Sequence, residues 1–201
     1  MDFLCDVYEQ KTEVRPLLFS EDDEKMRGQY DQFLLDAGTL SRTIPPRPVR
    51  KDVVLSRTDV TSEVMLGWPT TTAVKLDWLD LSFTKIDDSM WTAAAKGRWD
   101  TRRLNVEGTR VSDNSIPSIA SMNRLEELDL STCKISDAGL EPLRSHRSLR
   151  KLWLTGTSVS DSLIELLASL PRLEEVELTG TRFTDDGRQE LARRIPRLRR
   201  K

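Results

Sequence analysis

The sequence is short of the residues on which most catalysis depends. Its 201 residues include one histidine, His146, and two cysteines, Cys5 and Cys133, which lie far apart and form no CxxC pair. That spacing gives no basis for a disulfide framework or a zinc site. Nowhere do eighteen apolar residues stand together, and the opening MDFLCDVYEQKTEVRP has no basic stretch followed by an apolar run. Neither a membrane span nor a secretory signal is therefore expected, and the default compartment is the cytoplasm. No GxxxxGK[ST], GxGxxG or GxSxG occurs, so phosphate cradles and nucleophile elbows have no sequence support. Charge of one sign is also missing overall: 31 basic against 33 acidic residues leave a formal net charge of −2. Such a balance argues against a general polyanion binder and fits an ordinary soluble domain.

What the chain has instead is repetition. LNVEGTRVSD at 104–113, LTGTSVSD at 154–161 and VELTGTRFTD at 176–185 are near copies. Aligned on this motif, Val53, Leu79, Leu104, Leu128, Leu152 and Val176 form one column, separated by 26, 25, 24, 24 and 24 residues. A period in the twenties is the signature of a solenoid. A second apolar column two places on (Leu55, Leu81, Val106, Leu130, Leu154, Leu178) has the spacing of one strand face, and a third five places later (Val60, Ile86, Val111, Ile135, Val159, Phe183) closes a turn. Between them stands Thr58, Thr84, Thr109, Cys133, Thr157, Thr181. Small side chains with a donor and an acceptor are expected there to bridge successive turns of the stack, with Cys133 a weak member of that ladder and not a nucleophile. Ser112-Asp113, Ser136-Asp137, Ser160-Asp161 and Thr184-Asp185 then read as helix starts, capping free amides and placing acid at the positive end of the dipole. Each unit is predicted to be strand, turn, short helix.

The lines LEELDLSTCKISDAGLEPLRSHRS and LRKLWLTGTSVSDSLIELLASLPR resemble the leucine-rich repeat family, in the LxxLxLxxTxVTDxGL form frequent in bacterial proteins. They are also similar to the cysteine-containing form found beside F-boxes. The resemblance covers about residues 50–198, with Arg50 and Thr101 standing where a leading leucine is expected. It implies an α/β solenoid: a curved stack with a parallel β-sheet on the concave face and short helices on the convex face.

Residues 50–201 are accordingly expected to form a leucine-rich repeat domain of about six repeats, and residues 1–49 an N-terminal segment. A stack needs covered ends. SEDDEKMRGQYDQFLLDAG at 20–38 has a cap-like serine, acids in its first turn, apolar Met26, Tyr30, Phe33, Leu34 and Ala37, and a terminal glycine, which together predict a capping helix. RTIPPRPVRKD follows as a stiff connector. At the other end Arg188 replaces the inward Ile164 of the preceding unit, as a polar C-terminal cap would require, while Leu198 is placed to open a further unit, so the array either ends here or belongs to a longer one. Residues 1–24 hold eight acids and two bases, and residues 188–201 seven bases and one acid. Solvated caps, head-to-tail pairing and a nucleic-acid contact would each fit this polarity, the last weakened by the absence of aromatics from the basic tail.

If the repeated letters build the scaffold, function should lie where the repeats differ. The outward strand positions are Asp52, Val54, Ser56; Trp78, Asp80, Ser82; Arg103, Asn105, Glu107; Glu127, Asp129, Ser131; Lys151, Trp153, Thr155; and Glu175, Glu177, Thr179. Seven of the eighteen are acidic and two basic, so one open acidic face is expected, with Trp78 and Trp153 exposed about 15 Å apart. Exposed tryptophan beside carboxylates suits a basic protein or peptide, through burial, ion pairing and cation–π contact. The residues predicted to bind are Trp78, Asp80, Arg103, Asn105, Glu107, Glu127, Asp129, Lys151, Trp153, Glu175 and Glu177. A basic column at the sheet edge, Lys85, Arg110, Lys134 and Arg182, could instead neutralise the acids and leave a merely solvated surface. Trp91 and Trp99 are assigned to the core, His146 to a partly buried structural position, and Trp68 to a loop. The resulting expectation is a non-catalytic scaffold without cofactor or metal, binding protein or peptide, with nucleic acid and membrane disfavoured. The alternative is a substrate-recognition subunit of a ubiquitin-ligase-like assembly, implied by the Cys133 repeat's likeness to F-box-associated units.

Overall fold

The computed structural model describes residues 52–66, 74–91 and 99–199. The expected capping helix over 20–38, the proline-rich connector, Cys5 and Trp68 lie outside them. Six strands form one parallel sheet in sequence order: β1 (Asp52–Val54), β2 (Val74–Asp80), β3 (Trp99–Asn105), β4 (Glu127–Asp129), β5 (Lys151–Trp153) and β6 (Glu175–Glu177). The register pairs Val53 with Leu79, Leu79 with Leu104, Leu104 with Leu128, Leu128 with Leu152 and Leu152 with Val176, which is the first apolar column of the sequence. All three apolar columns are buried and merge into one continuous core. At about 1.5–3 kcal/mol per buried aliphatic side chain, this shared core is the main force holding the units side by side.

Opposite the sheet run α1 (Ser62–Leu66), α2 (Ile116–Ile119), α3 (Ile164–Ser169) and α4 (Asp185–Arg194), together with 3₁₀ turns at Asp88–Trp91, Asp113–Ser115, Ala138–Ser145 and Asp161–Leu163. The expected helix is thus partly 3₁₀, and in the fourth repeat wholly so, with Pro142 inside it. Few residues of each 24-residue unit remain for the return path, and the 3₁₀ rise of about 2.0 Å per residue covers more distance with them. Trp91 and Trp99 are buried as expected, and Thr101, at a leading-leucine position, is fully buried with its hydroxyl donated to the Arg103 carbonyl at 2.9 Å.

Two columns of side chains stitch the stack, and one differs from expectation. The threonines chiefly serve their own turns: Thr58, Thr84, Thr109, Thr157 and Thr181 each donate to the carbonyl three residues earlier in their own unit, at 2.6–2.7 Å, and of the five Thr109 alone also reaches the next unit, with its Oγ1 3.7 Å from Cys133 Sγ. A hydroxyl on a short side chain reaches its own turn more easily than a neighbour about 4.8 Å away. Cys133, with its larger sulfur, is the one that crosses to a neighbour's backbone, donating to Val106 O at 3.1 Å. Its thiol is pushed up from its ordinary pKa by burial, as suits an inert side chain.

The bridge between units is the Ser/Thr-Asp pair. Each serine or threonine caps its own helix start, and the aspartate of each unit accepts from the backbone N–H and hydroxyl of the next unit's serine or threonine. Asp113 takes Ser136 at 2.9 and 2.6 Å, Asp137 takes Ser160 at 2.8 and 2.6 Å, and Asp161 takes Thr184 at 2.9 and 2.6 Å. Asp88 holds Ser112 in the same way and adds Ser115 and Asn114. Between the first two units the pair is exchanged: Asp87 occupies the serine column and Ser62 the aspartate column, and Ser62 both accepts from Asp87 N–H at 2.9 Å and donates to its carboxylate at 2.8 Å. This explains the glycine of the SDAGL and TDDGR segments. A Cβ on Gly139 would come within 2.0 Å of Asp113 Oδ1, and one on Gly187 within 1.9 Å of Asp161 Oδ1.

Candidate binding face

Strand register sorts the outward side chains into rows. The first runs Asp52, Trp78, Arg103, Glu127, Lys151, Glu175, and the second Val54, Asp80, Asn105, Asp129, Trp153, Glu177. Trp78 and Trp153 therefore lie three strands apart and one row apart. The predicted residues do share one sheet face, but they are not all open to solvent. Asp52, Val54, Asp80, Ser82 and Ser131 are buried, at 3, 7, 7, 5 and 5% exposure. In the second row this has a physical cause, since its polar side chains fold back onto backbone two residues on. Asp80 accepts from Ser82 N–H at 3.0 Å and Ser82 Oγ at 2.7 Å, Asn105 from Glu107 N–H at 2.9 Å, Asp129 from Ser131 N–H at 2.9 Å, and Glu177 from Thr179 N–H at 3.0 Å. This column caps the strand ends, where free amides need acceptors. It was read from sequence only as ligand-facing.

The two tryptophans are half-buried, and each already has a cation of its own chain over the ring. Arg103 lies 5.1 Å from the Trp78 centroid, and Lys151 Nζ lies 5.9 Å from that of Trp153. Lys151 also pairs with Glu127 at 2.8 Å. Such stacking fixes long side chains in place beside the indoles. Of the basic edge column, Lys85 alone of the four is ion-paired among the described residues, to Asp59 at 2.7 Å.

A family model described as Leucine Rich repeat matches residues 122–143, the unit that contains β4 and Cys133. Six parallel strands in consecutive order and a core of period-matched apolar columns extend the same unit on both sides of the match. Residues 122–143 are similar to a leucine-rich repeat, and the fold around them is that of a leucine-rich repeat solenoid. No curated protein matches it. Leucine-rich repeat domains serve as protein-interaction scaffolds, and here the strand register places twelve outward positions in two rows on one sheet face, with Asp52, Val54 and Asp80 among them buried.

One leucine-rich repeat position was missed entirely from sequence. The turn after each strand has positive φ at Arg57, Phe83, Gly108, Thr132, Gly156 and Gly180, a single column of the alignment. Three glycines suit it; an arginine, a phenylalanine and a β-branched threonine do not. Phe83 is 45% exposed, and the Arg57 guanidinium lies 5.0 Å from its ring centroid. Glu107, bound to Phe83 through its backbone carbonyl at 2.7 Å, has its carboxyl pushed above the ordinary range by burial and by the charges of Asp129 and Asp80, with Arg57 opposing. The sequence signal was there in the glycine that three repeats share and three lack.

A second missed feature lies at the strand entrances. Asp77, Arg102, Glu126, Arg150 and Glu174 alternate in sign from unit to unit, and Arg150 holds Glu174 through two bonds of 3.1 and 2.9 Å. The contacts linking Arg102 to Asp77 and Glu126 are looser, at 4.0 and 3.9 Å. These are exposed pairs, worth little each and more as a row that fixes unit order. Away from the face, His146 is buried, accepts from Leu149 N–H at Nδ1 (3.2 Å) and so donates from Nε2 to Met122 O (3.0 Å). Burial holds its pKa below the ordinary value. Arg188 caps the last unit by donating to Leu178 O at 2.8 Å. Among the described residues no helix is long and apolar enough to cross a membrane, and no group of three or more His, Cys, Asp or Glu could hold a metal ion.

Proposed function

We propose that the open sheet face is a preformed binding surface for a basic protein segment or peptide, with Trp78 and Trp153 as its anchors. The observation that carries this reading is the pair of half-buried indoles on strand positions where a scaffold alone has no use for them, each steadied by a neighbouring cation. Seven acids stand on the face and two of them, Asp52 and Asp80, are buried, leaving five accessible carboxylates against Arg103 and Lys151. That excess favours a basic partner. Because the strands fix the contact residues before the partner arrives, little ordering cost falls on binding. The recognition subunit of a ubiquitin-ligase-like assembly has only the Cys133 likeness behind it, and that thiol is buried in the stack.

Peptides selected from a random display library on the intact chain test the proposal. Lysine- and arginine-rich sequences should be enriched, and the Trp78→Ala/Trp153→Ala variant should bind them at least tenfold more weakly while unfolding at nearly the wild-type temperature. Selection of acidic sequences, or unchanged affinity in the double variant, would overturn it.

A further inference from the structure

Phe83 is the large apolar side chain that the described residues leave exposed, and it is held there at a cost. Its φ of +56° belongs to the left-handed region, where the equivalent residues of the third, fifth and sixth units are glycine. The ring is not loose. Arg57 covers it from one unit, and on the other side it lies so close to Gly108 that a Cβ there would fall 2.6 Å from Cδ1. A fixed, exposed aromatic edge is the kind of group that loses little freedom on contact with a partner.

Beside that edge sits Glu107, half-buried, with no side-chain hydrogen bond or ion pair among the described residues. Asp129 and buried Asp80 share its neighbourhood, and Arg57 is the opposing charge. An incoming carboxylate would meet this concentration of like charge. A purely apolar group would cover the rim but leave the half-buried carboxylate without an ion pair, since Arg57 acts on it only from a distance. An arginine or lysine satisfies both, since its aliphatic stem lies on apolar surface while its charged head reaches a carboxylate.

We infer that Phe83, Arg57 and Glu107 form an anchoring subsite at the rim of the binding face, which takes one arginine or lysine side chain of a basic peptide, stem against the Phe83 edge and head on Glu107. The inference rests on the proposed basic-peptide reading and names its most specific contact. Arg57 steadies the ring and touches no charge of the partner.

The probe is a capped peptide of alternating arginine and leucine, titrated into the ¹⁵N-labelled full chain, with a glutamate–leucine peptide as control. Amide shifts are expected at Phe83, Gly108 and Glu107 as well as around Trp78. Phe83→Gly, which eases the backbone and so keeps the fold, should weaken binding about tenfold, and Glu107→Gln about fivefold. Shifts confined to the tryptophan rows, with both variants within twofold of wild type, would remove the subsite and leave the broader reading standing. Preference for the glutamate–leucine peptide, or no saturable binding of the arginine–leucine peptide, would overturn both.

Discussion

The first three strands and the last three are built from the same unit and differ in how far they depart from it. β4, β5 and β6 are three residues long, and two of their three left-handed turns use glycine. β2 and β3 extend to seven residues, pair additionally through Val74 with Trp99, Lys75 with Asp100 and Leu76 with Thr101, and are followed by Phe83 and Gly108. Both stacked arginines, Arg57 and Arg103, belong to the first half. Departure from the repeat is therefore concentrated where the sheet is longest. Extra pairing there supports backbone that the turn residues strain, so local stability and local irregularity occur together.

If the wider first half carries the strain, its inter-unit ladder should also hold more of the stability. Asp88 accepts from four groups in the third unit, where Asp137 accepts from two in the fifth. Hydrogen bonds to an ionised group contribute about 1.5–3 kcal/mol each at most, less here because the groups are partly exposed. Asp88→Ala is expected to cost about 3–4 kcal/mol and Asp137→Ala about 2 kcal/mol, read as urea midpoints at constant slope. Equal losses would mean that the ladder is uniform and that the contrast between halves lies in the sheet alone.

A smaller effect separates strain from function. Left-handed backbone costs a non-glycine residue about 1–2 kcal/mol. Phe83→Gly and Thr132→Gly should each stabilise the chain by up to about 1 kcal/mol, after subtraction of the lost contacts and the greater freedom of glycine when unfolded. Only Phe83→Gly should also lose peptide affinity. Gly156→Ala in the regular half should destabilise, because φ there is +68° and the new Cβ would meet Thr132 Cγ2 at 3.3 Å. Thermal unfolding of the three variants side by side checks the signs, and a destabilising Phe83→Gly would show that the ring's packing outweighs the strain.

Much of this was legible in the sequence because stacking turns a period into a direction. Once Leu104, Leu128 and Leu152 are recognised as one column, the sheet order, the strand register and the shared face follow, and the structure places them so. Hydrogen-bond partners were less legible, since a side chain's reach depends on atoms that the period does not encode. Threonine and cysteine in one column act differently, and Asp113 serves the next unit's Ser136 and not only its own helix. The candidate face was read too generously for the same reason: Asp80 and Asp129 satisfy amides two residues on. Phe83 was overlooked because a lone phenylalanine in a turn reads as a substitution until backbone angles show that its siblings are glycine.

The smallest expected effect bears on the regular half and depends on pH. His146 in the fourth unit occupies the column that Leu170 fills in the fifth, and its ring is neutral, with Nδ1 accepting and Nε2 donating within the stack. Burial lowers its folded pKa while the unfolded chain keeps the ordinary value of about 6.5. Because the unfolded state then binds the proton more readily, the contribution of His146 is complete above about pH 6.5 and is lost as pH falls from there towards the lower folded pKa. The ladder aspartates Asp87 and Asp88 have carboxyl pKa values below the ordinary one, so their contribution disappears only at more acid pH, as they too become protonated. Stability measured against pH should therefore decline in two steps, and His146→Leu should remove the upper step alone, since leucine already fits this column one unit later. A wild-type profile flat between pH 7 and 5 would mean that the imidazole gains its proton without leaving the stack, and the fourth unit would then be looser than its hydrogen bonds imply.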